Sequence, residues 1–271
     1  MRYYQNLHVH STFCDGRDTP EEMIALARAQ GFESLGFSGH SYMPYSPYKM
    51  ITLEKNKAYK REVAALKEKY RGEFPIYLGL EVDMYSGVDM TGYDYLIGTV
   101  HYLKKGDVYV GFDRAPEVVQ DVINTHYDGD GMTFAKAYYE AVAELPKYGK
   151  FDIIGHFDLL AKNLEIIPYF DETSPAYLSL AKEVIAALKG KIDLFEVNTG
   201  AMARGYRSVP YPIPELVKEF KRQGFGAIIS SDCHDGRQLA HGFEEARELL
   251  ASCGFTEQYI LTENGFKAVA L

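Results

Sequence analysis

The chain has 271 residues, 46% of them hydrophobic, and its 29 basic against 38 acidic residues leave a net charge of -9. That length and apolar content suffice for one domain with a sizeable core, while the acidic balance disfavours a groove that tracks nucleic-acid phosphates. No apolar run is long enough to span a bilayer, no basic-then-apolar leader opens the chain, and Cys14, Cys233 and Cys253 lack CxxC spacing, so a cytoplasmic protein with reduced thiols is expected.

The first predicted strand covers residues 3 to 10, and its alternation sends His8 and His10 to one side. Thr19, Pro20 and Glu22 then supply a helix cap, a first-turn proline and a capping-box acid, and Gly31 stops the helix. SLGFSGH reads as the second strand, TLEKNKAYKREVAALKEKY as the second helix, PIYLGLEVD as the third strand and GTVHYL as the fourth. Residues 104 to 132 are less regular: KKGDVYVGF suggests a small hairpin and PEVVQDVINTHYDGDG a short helix with a glycine-rich exit, together an insertion over a pocket. The helix TFAKAYYEAVAELPKY, the strand FDIIGH, the helix SPAYLSLAKEVIAALKG, the strand DLFEVNTG, the helix IPELVKEFKRQG, the strand GAIISSDCH and the helix EEARELLAS complete the series. Seven strands separated by helices demand parallel pairing with right-handed crossovers, in either a closed barrel or an open doubly wound α/β sheet.

Histidines decide between the two. His8, His10, His40, His101, His156 and His234 stand at predicted strand ends, leaving His126 and His241 elsewhere as ordinary surface or loop residues. A barrel brings every carboxyl end to one mouth, whereas an open sheet joins only a few at its switch point, so the pattern favours closure. With Asp15, Glu81 and Asp232 the histidines form a nine-member donor set of imidazole and carboxylate without thiolate, suited to zinc, iron or manganese. One ion cannot use so many donors, so two or three are required, with Glu81 the best bridge between them. Metals about 3.5–4 Å apart activate a shared water and clamp the entering and leaving oxygens of a phosphate ester, which makes hydrolysis the natural reaction. Asp15 also fits a plain CDGRD turn, Glu81 and Asp232 could cap the following helices, and Cys233 is turned away by alternation as a buried filler.

A phosphate monoester needs donors for its outer oxygens. Arg204 is the first choice, with Arg207 behind it and Lys162 on a neighbouring loop. Tyr42 and Tyr102, beside expected ligands, are candidates to face the rest of the substrate, and Asp232 or a nearby histidine such as His234 to protonate the leaving alkoxide.

In this order LHVHSTFCDG, FSGH, GLEVD, GTVH, GHFD and SDCH resemble the motifs of the polymerase-and-histidinol-phosphatase (PHP) family over essentially the whole chain. Within it, the length and the GHFDLLAK and VNTGAMARG segments are most similar to the stand-alone histidinol-phosphate phosphatases. The resemblance implies one domain over residues 1–271, a distorted (β/α)7 barrel with a trinuclear site of divalent or trivalent transition metals at its C-terminal mouth, and a metal-bridging hydroxide as nucleophile. Transferred residue by residue, His8, His10, Glu81 and Asp232 would hold the first metal, Glu81, His101 and His156 the second, and Asp15, His40 and His234 the third. Some relatives carry histidine where this chain has Asp15. The implied reaction is L-histidinol phosphate to L-histidinol and phosphate in histidine biosynthesis, a small-molecule substrate with no nucleic acid or membrane involved. A phosphodiesterase, nuclease or nucleotide phosphoesterase of the same family, or a non-catalytic metal-binding regulatory module, are the alternatives.

Overall fold

Apolar runs and amphipathic segments alternate in the computed structural model much as the periodicity requires; it describes residues 3–46 and 52–271. Strands β1 (Tyr3–Asn6), β2 (Phe32–Phe37) and β3 (Ile76–Asp83) are joined by helices α1 (Pro20–Gln30) and α2 (Leu53–Lys69). Then follow β4 (Tyr95–Thr99), the antiparallel pair β5 (Tyr102–Lys105) and β6 (Val108–Gly111), and helices α3 (Pro116–His126) and α4 (Gly131–Glu144). The rest comprises β7 (Ile153–Ile154), α5 (Pro175–Leu188), β8 (Leu194–Asn198), the short α6 (Gly200–Ala203), α7 (Pro214–Arg222), β9 (Gly226–Ser230), α8 (Phe243–Ser252), β10 (Glu257–Thr262) and β11 (Gly265–Ala270). The capping box forms as the sequence requires: Thr19 Oγ1 accepts from Glu22 N, the Glu22 carboxylate accepts from Thr19 N at 2.8 Å, and Gly31 ends α1 at φ 89°. None of the described helices is long and apolar enough to cross a membrane.

Seven strands pair in parallel in the order β1-β2-β3-β4-β7-β8-β9, a nearly closed barrel. Its seam is drawn together beyond the strand ends by a Val9–Cys233 bridge, in which His10 N donates to Cys233 O at 2.8 Å and Cys233 N to His8 O at 3.1 Å. The expected first strand is therefore shorter than predicted: ladder pairing ends at Asn6, and His8 and His10 lie on the extended backbone that crosses the seam. Helices bury their apolar faces against the outside of the barrel, while Leu7, Tyr95, Ile97, Ile153, Leu194 and Ile228 fill its inside.

Tyr95 occupies the barrel axis, donating to Leu7 O at 2.5 Å and Phe37 O at 3.0 Å. Gly79 makes room for it, since a Cβ there would sit 2.2 Å from the Tyr95 ring. The β10–β11 hairpin, which no predicted element covers, closes the opposite end: Leu261 joins the inner core and exchanges two hydrogen bonds with the Gln5 side chain, at 2.7 and 3.1 Å. Plugging the barrel's N-terminal end in this way leaves the C-terminal mouth as the place where polar side chains can gather.

Candidate metal centre

All nine predicted donors converge at that mouth. Glu81, at the end of β3, lies centrally: its Oε1 is 2.9 Å from His156 Nε2, 3.1 Å from His101 Nε2 and 3.6 Å from His8 Nε2, and its Oε2 is 2.6 Å from His40 Nδ1 and 3.5 Å from His10 Nε2. Asp232 Oδ1 stands 3.1 Å from His10 Nε2 and 3.6 Å from His8 Nε2. Asp15 reaches His40 Nε2 at 3.4 Å and His234 Nε2 at 3.3 Å. Donor atoms fall within 4.8 Å of one another in four overlapping groups: His10, Asp15, His40, His234; His8, Glu81, His156; His8, His10, Asp232; and His40, Glu81, His101. His10 thus also sits with the Asp15 group, and Glu81 is shared between groups, as a bridging role requires.

These side chains fit a metal on grounds internal to the structure. His8 Nε2, His10 Nε2 and Glu81 Oε2 are buried with no well-aligned hydrogen bond, their close neighbours being other donor-set atoms such as Asp232 Oδ1 and His40 Nδ1, a costly arrangement for polar atoms unless a cation occupies the space between them. Cys14 Sγ lies 3.3 Å from His10 Nδ1, but burial first, and then Asp15, raise its thiol pKa, so oxygen and nitrogen donors dominate.

Electrostatics match a cluster awaiting positive charge. Burial pulls the His8 and His40 imidazoles down, yet Glu196, Asp232 and Glu81 around the former, and Glu81 and Asp15 around the latter, outweigh it and raise both well above the usual value. His101 is lifted to about 10, against burial, chiefly by Glu81, while burial and then the neighbouring His234 and His40 hold His10 down to about 3. Against burial, Glu81 and Asp232 are kept well below the carboxylate range, the former chiefly by His40 and the latter by Arg204. An ionised Asp232 suits a metal ligand better than a proton donor. His234 Nδ1 lies 2.9 Å from Asp232 O, and donating there leaves Nε2 bare toward Asp15.

Two of the donors stand on uncommon backbone. His156 has φ 23° and Asp232 φ 47°, left-handed conformations that cost about 1–3 kcal/mol in a residue with a Cβ and persist only where neighbours enforce them. Enforcement is visible at His156, whose N–H donates to Glu196 at 2.6 Å and whose carbonyl accepts from Tyr138 Oη at 3.3 Å.

A cavity of about 410 Å³ opens above the donors, a size suited to a small ligand. Arg204, Lys162 and Tyr102 line it; Arg207 and Tyr42 do not. Arg204 lies over Asp232, donating to Oδ2 at 2.8 Å and to the carbonyl at 3.0 Å, and Gly200 permits this because a Cβ there would meet Arg204 Nη2 at 2.9 Å. Lys162 Nζ is paired with Asp113 and stands 5.1 Å from the Tyr206 ring centre. Tyr102 Oη meets Ser46 Oγ at 2.7 Å. Arg207, expected beside the substrate, is instead buried with its fork on the Glu172 carboxylate at 3.0 Å for both bonds and on Ala161 O at 2.7 Å. A bidentate partner of its own takes it out of the site.

Three carboxylates escaped the sequence reading. Glu196 accepts from four groups behind His8 and His156, Asp83 accepts His101 N at 2.9 Å and is itself held by Tyr45, and Asp113 lines the cavity beside Lys162. Strand alternation carried the signal for two of them, since Asp83 is two residues from Glu81, and Glu196 breaks the apolar start of β8 on the inward face it shares with Leu194.

A parallel barrel with an imidazole–carboxylate cluster at its C-terminal mouth defines a barrel metalloenzyme. The PHP domain matches residues 6–200, and the chain belongs to that family. Among curated relatives, it is 29% identical over 259 residues to a probable histidinol-phosphatase of Deinococcus radiodurans, covering 91% of this chain and 92% of that one. It is 26% identical over 263 residues to the histidinol-phosphatase of Bacillus subtilis strain 168, covering 88% of this chain and 96% of that one. In fold it is similar to the crystal structure of histidinol phosphate phosphatase from Lactococcus lactis subsp. lactis, complexed with zinc, L-histidinol and phosphate, with a TM-score of 0.73 at 18% identity, 98% of this chain and all of that one aligned.

Proposed function

We propose that this protein is a metal-dependent phosphomonoesterase that hydrolyses L-histidinol phosphate to L-histidinol and phosphate. The observation that carries the reading is the convergence of nine imidazoles and carboxylates on one small cavity, with buried polar atoms left bare toward its floor. The names of relatives matched along nearly their whole length support the substrate, and so does the zinc, L-histidinol and phosphate complex of the Lactococcus lactis protein. We take the donors to hold three ions: His8, His10, Glu81 and Asp232 the first, Glu81, His101 and His156 the second, Asp15, His40 and His234 the third. Nitrogen and oxygen donors suit zinc, iron or manganese. When bound, such ions supply Lewis acidity and make water a nucleophile near neutral pH.

The chain's own groups do the rest. Arg204, at the cavity wall, has N–H groups beyond those spent on Asp232 and presents them to the outer phosphate oxygens. Lys162 adds charge from the neighbouring loop, tempered by Asp113. Tyr102 and residues 111 and 113–115, from the segment read as an insertion over residues 104–132, wall the space for the organic part of the substrate. All 271 residues are read as one catalytic domain, and its cytoplasmic placement is supported by three cysteines that are free and buried.

Elemental analysis followed by parallel assays on histidinol phosphate, an aryl phosphate and an aryl phosphodiester tests this. Turnover of the first with bound metal is expected. Diester turnover alone would point to a phosphodiesterase, and a fully loaded but inert protein to a regulatory module; either outcome ends the present reading.

A further inference from the structure

Behind the donor cluster lies a carboxylate to which none of the roles above has been given. Glu196, on β8, is completely buried, and each of its oxygens meets two polar groups. Oε2 lies 2.9 Å from His8 Nδ1 and accepts from Ser230 Oγ at 2.6 Å; Oε1 accepts from His156 N at 2.6 Å and from Asn198 Nδ2 at 2.9 Å. We propose that Glu196 is the positioning residue of the site: it holds the proton of His8 on Nδ1, leaving Nε2 bare toward Glu81 and Asp232, and it pins the left-handed backbone of His156.

Donor and acceptor identities permit one arrangement. A carboxylate only accepts, so His8 Nδ1 must carry the hydrogen. His8 Nε2, 3.6 Å from both Glu81 and Asp232 and without a hydrogen-bond partner, is then the nitrogen left to give up its proton and offer a lone pair to a cation. On the other oxygen, a backbone N–H can only donate, and the Asn198 amide is oriented by its own Oδ1, which accepts Gly200 N at 2.8 Å. Glu196 thereby connects donors from different strands, His8 of the first metal group and His156 of the second, through one rigid group. Outer carboxylates of this kind set ligand tautomer and are worth about 10–100-fold in metal affinity.

The geometry makes an unusual prediction for the isosteric Glu196→Gln. Because both partners of Oε1 are obligate donors, the amide oxygen must stay there and its NH2 must face His8. His8 Nδ1 becomes an acceptor, and its proton moves to Nε2, the nitrogen aimed at the cation. Ser230→Ala deletes the other donor on Oε2 without touching this logic.

This inference rests on the reading of the cluster as a metal centre, and the experiment separates the two. Long-range proton–nitrogen correlation of the His8 ring is recorded on the full-length zinc-loaded wild type and on both variants, with zinc per chain and affinity from chelator competition. Expected are an Nδ1 proton in wild type and Ser230→Ala with full zinc. Glu196→Gln should show roughly 10–100-fold weaker zinc binding and, with zinc stripped, a proton on Nε2 and none on Nδ1. A wild-type His8 protonated on Nε2 overturns the proposal even if Glu196→Gln fails to fold, and so does a Glu196→Gln protein with an Nδ1 proton and wild-type zinc. A wild type that takes up no zinc overturns the metal reading itself.

Discussion

Replacing Arg204 with alanine separates substrate binding from metal binding. The guanidinium gives two hydrogen bonds to Asp232, at 2.8 and 3.0 Å, and its side chain, 29% exposed, lines the cavity without belonging to any donor group. A hydrogen bond to a charged group contributes about 1.5–3 kcal/mol. At about 1.4 kcal/mol per decade, losing one such contact to the phosphate lowers kcat/KM by roughly 10–100-fold. Asp232 should respond as well, because Arg204 is the strongest influence opposing its burial. A carboxyl depressed in the folded state contributes stability above its unfolded value of about 4 and loses it as pH falls through the folded value. With Arg204 gone, Asp232 titrates higher, so the variant begins to lose stability at a higher pH than wild type. Steady-state kinetics on histidinol phosphate, elemental analysis and melting curves across acid pH measure all three effects. Unchanged kcat/KM with metals retained refutes the phosphate contact, and loss of metals would mean that the arginine acts only by holding Asp232.

Glu81→Gln should lower metal content in more than one group and abolish turnover, since five imidazoles lie within 3.6 Å of that carboxylate; a fully loaded variant contradicts a shared ligand. Loading zinc into the chelated protein at pH 7 should release protons, because carboxylates outweigh burial and raise His8, His40 and His101, the last to about 10; calorimetry in buffers of different ionisation heat detects this, and no release defeats the assignment. For the same imidazoles, raised above the unfolded value of about 6.5, the stabilising contribution is complete below that pH and is lost as pH rises through their folded values, which for His101 is about 10. The melting temperature of metal-free protein should therefore decline over that window, and a flat profile would argue against charged imidazoles. Arg207→Ala should leave kcat/KM unchanged and cost about 1–3 kcal/mol of stability by stranding the Glu172 carboxylate; a kinetic loss without destabilisation would return Arg207 to the substrate.

What could be read from the sequence followed periodicity. The parallel barrel and the donors at its mouth were legible because strand alternation and histidine placement are local signals that a closed barrel makes global. Long-range pairing was not legible. Arg204 and Arg207 differ by three positions, and only the folded chain reveals that Glu172 sits where it captures the second. Glu196 looked like part of an apolar strand because its partners, His8, Ser230 and the His156 backbone, come from three other segments. The β10–β11 hairpin carried an available cue, Asn264 followed by Gly265 at φ 96°, but its packing role depends on Gln5 at the far end of the chain.

The bridge between Val9 and Cys233 has a mechanical consequence. On one lip of that join stand His8 and His10, on the other Asp232 and His234, so an ion held from both sides, as proposed above, would rivet the first barrel segment to the last. Cation removal should then loosen this join ahead of the remaining staves, and amide exchange should quicken first at the edges it unites.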